Sequence, residues 1–176
     1  VLAAMAGRTL GKMVREHIQA RMAEAGKTQA AISEFLAKYD RVLKDMMIGK
    51  TNFAEEKLDA KDPYDSVLLD MVKRREIVIG LLINDPLQIV NNIQSPTLIL
   101  QGRKDVQVAV KDAQYLEESM KRSDHADVTL HLLDDVDHLL KTNKGAASWA
   151  SQTENSQPLD AGLLTILTDW LLKKAK

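Results

Sequence analysis

The sequence predicts an α/β protein built on a parallel sheet, and three observations carry that prediction. Two short runs, 97–102 and 128–133, are apolar almost throughout, as expected of strands covered on both faces. Between them Val110, Ala113, Leu116 and Met120 recur at helical spacing. Strand, helix, strand is the order of a right-handed crossover between parallel neighbours. A mainly helical stretch over 12–92 precedes this unit, and an amphipathic helix follows it.

The elements can be taken in order. Val1-Leu2-Ala3-Ala4-Met5-Ala6 reads as a buried strand closed by the turn formers Gly7 and Gly11. Met13, Val14, Ile18 and Met22 then share one helical face, and Gly26 is a natural stop. Thr28 can cap a second helix carrying Ile32, Phe35, Leu36, Tyr39, Val42, Leu43 and Met46, with Gly49 as its end. Residues 51–62 are polar and predicted to be irregular. Asp62-Pro63 opens a third helix with Val67, Leu68, Met71 and Val72 on its apolar face. The apolar segment 77–83 is read as helix, because Asn84-Asp85-Pro86 begins a further helical turn through Val90. After the strand at 128–133, the Ser-, Ala-, Gln- and Asn-rich stretch 145–158 is predicted to be loop. Leu163, Leu164, Ile166, Leu167, Trp170 and Leu171 mark a closing helix, with lysines in the last turn where they suit the dipole.

Size and composition narrow the function classes. The 176 residues suffice for a substantial core, with 45% hydrophobic and 28% charged side chains. A net charge of −1, from 24 basic and 25 acidic residues without strong blocks, gives no electrostatic case for nucleic acid or an anionic membrane. With no cysteine, disulfides, thiolate metal sites and a cysteine nucleophile are excluded. No run approaches the roughly 18–20 apolar residues that span a bilayer, and the residues from Val1 onward are not expected to act as a secretory signal. A cytoplasmic location is the expectation. Because a strand at Val1 has no loop leading into it, a missing N-terminal portion is expected as well.

The chemistry concentrates at two strand ends, where open α/β sheets gather functional groups. Asp105 follows the run 97–102, and His138 follows the run 128–133. One loop, one helix and one strand separate them, so both belong to the same rim. A carboxylate bonded to an imidazole fixes its tautomer and leaves the second ring nitrogen free to act as a base. From position alone the alternatives stay open: Asp105 could be a turn former or helix cap, and His138 a solvated neighbour of three aspartates. His17 reads as packing or surface and His125 as a turn residue, while His131 could be buried in the sheet. Asp134, Asp135, Asp137 and His138 are donor types a divalent ion accepts. Their run lacks the glycine and terminal glutamate of an EF-hand loop, which counts against a calcium site.

The segment Pro96-Thr97-Leu98-Ile99-Leu100-Gln101-Gly102-Arg103-Lys104-Asp105-Val106-Gln107-Val108 resembles the acid-bearing strand and loop of α/β-hydrolases. The nearest members in character are serine esterases, dienelactone-hydrolase relatives and serine-aminopeptidase-like enzymes. Val128-Thr129-Leu130-His131-Leu132-Leu133 through Asp137-His138 is similar to that family's last strand and histidine loop. The resemblance covers Val1 to Lys176 and implies the C-terminal part of an α/β-hydrolase parallel sheet with an inserted helical lid. Positions 1–11 and 93–176 would be core, 12–92 the lid, with 1–6 like the sixth strand and 159–174 like the closing helix. It implies Asp105 and His138 as catalytic acid and base, a small-molecule ester or peptide as substrate, and no cofactor. The lid methionines Met13, Met22, Met46, Met47 and Met71 are expected to pack against the body or to line an acyl pocket.

One departure from the family pattern is large. The nucleophile elbow reads Gly-x-Ser-x-Gly, and none of Ser33, Ser66, Ser95, Ser119, Ser123, Ser148, Ser151 or Ser156 stands in that context. In the family's chain order the serine precedes the acid and the histidine, so nucleophile and oxyanion hole are expected upstream of Val1, and the chain by itself is expected to be inactive. The truncated sheet would then expose a strand edge, to be covered by the N-terminal part or by self-association. A non-catalytic interaction module with a degenerate hydrolase fold is the competing expectation.

Overall fold

Local sequence signals set most of the helix ends. A computed structural model describes residues 7–123, 127–153 and 156–174, and the predicted strand at 1–6 lies outside them. The chain divides into two units, one spanning Thr9–Asp85 and the other formed by Val1–Arg8 with Pro86–Lys176.

The first unit is helical: α1 (Leu10–Glu24), α2 (Gln29–Met47), α3 (Pro63–Lys73) and α4 (Arg75–Ile83), with a 3-10 turn at Ala54–Glu56. Thr28 Oγ1 accepts the Ala31 N–H at 3.2 Å and starts α2. Asp62 Oδ1 accepts the N–H groups of Tyr64 and Asp65 at 2.8 and 2.9 Å and starts α3, with Pro63 at its first position. Both α1 and α2 end in a left-handed glycine, Gly26 (φ +71) and Gly49 (φ +82). In each case the glycine and the following lysine donate back to the last turn: Gly26 and Lys27 to Ala23 and Met22, Gly49 and Lys50 to Met46 and Asp45.

The α2 stripe of Ile32, Phe35, Leu36, Tyr39, Val42 and Met46 packs with Ile18 and Met22 of α1, Leu68 and Met71 of α3, and Val78 of α4. Met22, Met46 and Met71 therefore fill this unit's own core, Met13 is buried, and Met47 is exposed at a helix end. Helical spacing alone cannot separate packing within a unit from packing onto another. Two polar anchors tie the unit together. The Tyr39 hydroxyl donates to Gly11 O at 2.8 Å, and burial pushes its pKa up. Lys38 reaches the buried Asp65 carboxylate, whose second oxygen accepts the Asp59 N–H at 3.0 Å.

The second unit holds α5 (Pro86–Val90), β1 (Thr97–Gly102), α6 (Val110–Arg122), β2 (Val128–Leu133), α7 (Trp149–Thr153) and α8 (Ala161–Lys174). β1 and β2 pair in parallel from Thr97 opposite Val128 to Gly102 opposite Leu133, which makes a two-stranded sheet among the described residues. Alternation along the strands sorts the two faces. Ile99 and Leu130 meet Ala113, Leu116 and Met120 of α6 together with Val90 and Ile93. Leu98, Leu100 and Leu133 meet Leu163, Ile166, Leu167 and Trp170 of α8. The sheet is thus sandwiched between helices, a mixed α/β arrangement. α5, within the span 12–92 read as one helical stretch, packs with the sheet unit: Ser119 Oγ of α6 lies 2.8 Å from the Asn91 side chain just past α5.

One predicted loop contains a helix. α7 lies within 145–158 because Ser148 and Ser151 cap each other reciprocally, each hydroxyl accepting the other's backbone N–H at 2.9 and 3.0 Å. No helix among the described residues is long and apolar enough to cross a membrane.

The packing ranks two substitutions. Leu68→Ala, at a fully buried position, is expected to cost about 2–5 kcal/mol, and Thr28→Ala, which loses a cap, about 1 kcal/mol. Chemical denaturation of both variants checks the order, and a larger loss for Thr28→Ala would contradict the assignment of the core.

Candidate acid–base site at the strand ends

The site is assembled where β1 and β2 finish. At the end of β1 the chain must make room, because a Cβ on Gly102 would stand 2.0 Å from Val136 O and 2.6 Å from Val136 C. Only a glycine admits the histidine loop this close to the strand. The Lys104 N–H then donates to Val136 O at 3.0 Å, and the Arg103 N–H to Leu133 O at 2.8 Å, so the acid loop and the histidine loop are joined through backbone.

Asp105 hangs from this junction with its side chain fully buried. Its Oδ1 accepts the N–H groups of Gln107 and Val108, both at 2.8 Å. Its Oδ2 accepts Gln101 Nε2 at 3.0 Å and lies 3.0 Å from His138 Nδ1. Four donors around one buried carboxylate offset the cost of taking its charge out of water. The turn-forming contacts, one of the alternatives on sequence grounds, are made by Oδ1, while Oδ2 of the same side chain faces the imidazole.

His138 is held from its own side by a stiff loop. Asp137, fully buried, accepts the N–H groups of Leu139 (2.9 Å) and Lys141 (3.0 Å) on Oδ1, while its own N–H donates to Lys141 O at 3.0 Å. This closes a turn in which Leu140 takes a left-handed conformation, φ +61. Asp160 fastens the turn to α8. Its N–H donates to Leu140 O at 2.9 Å, its Oδ2 accepts Thr142 Oγ1 at 2.8 Å, and its Oδ1 caps α8 at the Leu163 N–H at 2.9 Å.

Since Asp105 Oδ2 can only accept, Nδ1 of His138 carries the proton, and Nε2 keeps its lone pair. Among the described residues Nε2 has no hydrogen-bond partner, and the side chain is 26% exposed. The Asp105 hydrogen bond holds the His138 pKa above the usual histidine value; partial burial opposes this, and the charges of Asp105 and Asp137 add to it. The arrangement can therefore take a proton at Nε2 and stabilise the resulting imidazolium.

The remaining candidates lie elsewhere. His17 is half-buried on α1, and His131 is half-buried on β2 opposite Leu100. His125 falls outside the described residues. Asp134 turns to Arg103 at 2.8 Å and Asp137 turns inward to backbone, so the aspartates do not converge with His138. Among the described residues no group of three His, Asp or Glu side chains is placed to hold a metal ion. No described serine bonds to His138; Ser119, Ser148 and Ser151 are engaged as given above, and Ser123 donates to Met120 O at 2.9 Å.

Sequence reasoning missed Gln101 and Asp160, and it weighed Asp137 as a metal donor where the structure has it bonding the backbone of its own loop. Gln101 sits inside an apolar run where nothing marks it, whereas Asp160 stands just before the helical pattern of α8, an N-cap signal that could have been read. Comparison with protein-family models, with curated proteins and with solved structures gives no match.

The raised His138 pKa fixes the sign of a linkage effect. The proton binds more tightly in the folded state, so the contribution is complete below the ordinary value of 6.5 and is lost as pH rises through the higher folded value. In Asp105→Asn the NMR titration midpoint of His138 is expected to fall toward 6.5. An unchanged midpoint would mean that the 3.0 Å contact does not govern the imidazole.

Proposed function

We propose that Asp105 and His138 are the acid and base of a Ser-His-Asp triad in a serine hydrolase of the α/β-hydrolase fold, acting on esters or related acyl bonds, peptides included. The observation that supports the reading is a buried, fully hydrogen-bonded carboxylate 3.0 Å from the Nδ1 of a partly exposed histidine whose Nε2 has no partner among the described residues. The order strand, acid, helix, strand, histidine supports it as well.

In this reading Nε2 takes the proton of a serine hydroxyl as its oxygen attacks the acyl carbon. Asp105 stabilises the imidazolium and keeps the ring oriented. His138 then returns the proton to the departing alkoxide or amine, and the same steps with water as nucleophile release the acid. The serine and the oxyanion hole belong to sequence upstream of Val1, and the remainder of the parallel sheet with them. The helical unit Thr9–Asp85 corresponds in this reading to the lid inserted in that family. Acyl-enzyme chemistry of this kind uses side chains alone. The partners of the chain are an ester or peptide substrate and its own N-terminal part, or a second copy covering the sheet edge.

The test is made on the full-length gene product. A Gly-x-Ser-x-Gly elbow is expected upstream, and an alkyl fluorophosphonate is expected to label its serine. His138→Ala should slow labelling by roughly 10⁴-fold or more. An absent elbow together with no labelling would overturn the proposal in favour of a non-catalytic interaction module.

A further inference from the structure

Gln101 is the least expected member of the site. It lies inside β1, 1% exposed, among residues whose neighbours are apolar. Its Nε2 points at three acceptors: Gly102 O at 3.1 Å, Val108 O at 3.0 Å and Asp105 Oδ2 at 3.0 Å. Its Oε1 is buried with no partner. The three acceptors fix which way the amide faces, and the orphaned oxygen is the cost of that orientation. An apolar side chain of similar length would fill the same space without it. The residue is therefore held for its donor, and the donor ends on the oxygen that the histidine uses.

We infer that Gln101 is a positioning residue that shares Asp105 Oδ2 with His138 and thereby limits how strongly the carboxylate draws on the imidazole. The inference deepens the proposed function and rests on it for the meaning of the site. A hydrogen bond donated into a carboxylate oxygen withdraws negative charge from it and leaves less for the second donor. Gln101 also pins the acid loop by its bond to Val108 O, so that Oδ1 and Oδ2 keep separate tasks. The charges acting on the ring are those of Asp105 and Asp137. Of the cations on the acid loop, Arg103 is bonded to Asp134 and Lys104 donates to Gly145 O. The adjustable contribution is then the one Gln101 makes through Asp105.

Purely structural and tuning roles predict opposite outcomes. If Gln101 only packs, Gln101→Met leaves the His138 midpoint in place or lowers it by loosening the carboxylate. If it competes for Oδ2, Gln101→Met raises the midpoint, a several-fold gain in proton affinity. The measurement is a pH titration by NMR with labelled histidine, on the intact protein and on Gln101→Met, Asp105→Asn and the double variant. A rise in Gln101→Met that disappears in the Asp105→Asn background is expected. A fall, no change, or an equal rise without the carboxylate overturns the inference.

Should Gln101→Met fail to fold, the unmutated protein carries the same test. The Gln101 side-chain amide protons are expected to shift in step with His138 protonation, and a flat response overturns the sharing. None of these readouts requires turnover, so a protein that ignores the fluorophosphonate can still confirm or refute the role of Gln101.

Discussion

The burial of the Asp105 carboxylate is the constraint on which the site is built. A charge removed from water has to be answered by donors, and the four that answer it come from three separate stretches: Gln101 in β1, the Gln107 and Val108 amides before α6, and His138 beyond β2. Those stretches can converge only if β1 and β2 end at the same level, which their register from Thr97–Val128 to Gly102–Leu133 ensures. The convergence also needs the histidine loop to press on the strand end, which the bare α-carbon of Gly102 permits.

A buried ion pair stands at the start of the helix that follows the Asp105 loop. Arg8 meets the Asp112 carboxylate with two nitrogens, one at 2.7 Å, and Asp112 also accepts the Ala109 N–H at 3.2 Å at the start of α6. Gly7 lies against the backbone of Asp112 so closely that a Cβ would stand 2.3 Å from its Cα. The residues that lead toward the helical unit are thus fixed to the helix that follows the acid loop. Breaking one partner of such a pair strands the other charge in the interior, which is why these contacts act as anchors even where their net contribution to stability is small.

How much of this was legible follows from what each signal depends on. Helix ends were legible because caps are local: Thr28, Asp62, Gly26 and Gly49 act within a turn of themselves. The meeting of Asp105 and His138 was legible because strand order and parallel pairing bring their ends together. Gln101 was not, since a polar residue in an apolar run reveals its purpose only when its three acceptors are in place. α7 escaped because its reciprocal serine cap lies in a stretch whose composition otherwise reads as loop. The packing of Met22, Met46 and Met71 within the helical unit was hidden for another reason, namely that periodicity names a face and says nothing about what covers it.

Leu140 shows what holds His138 in place. A leucine in a left-handed conformation is held against its own preference by about 1–2 kcal/mol, and the restraint comes partly from Asp160, which grips Leu140 O with its N–H and caps α8 with its carboxylate. The closing helix is therefore a tether for the histidine as well as a cover for the sheet. Anyone designing expression fusions or C-terminal trims of this protein is, in effect, handling the mooring line of its imidazole.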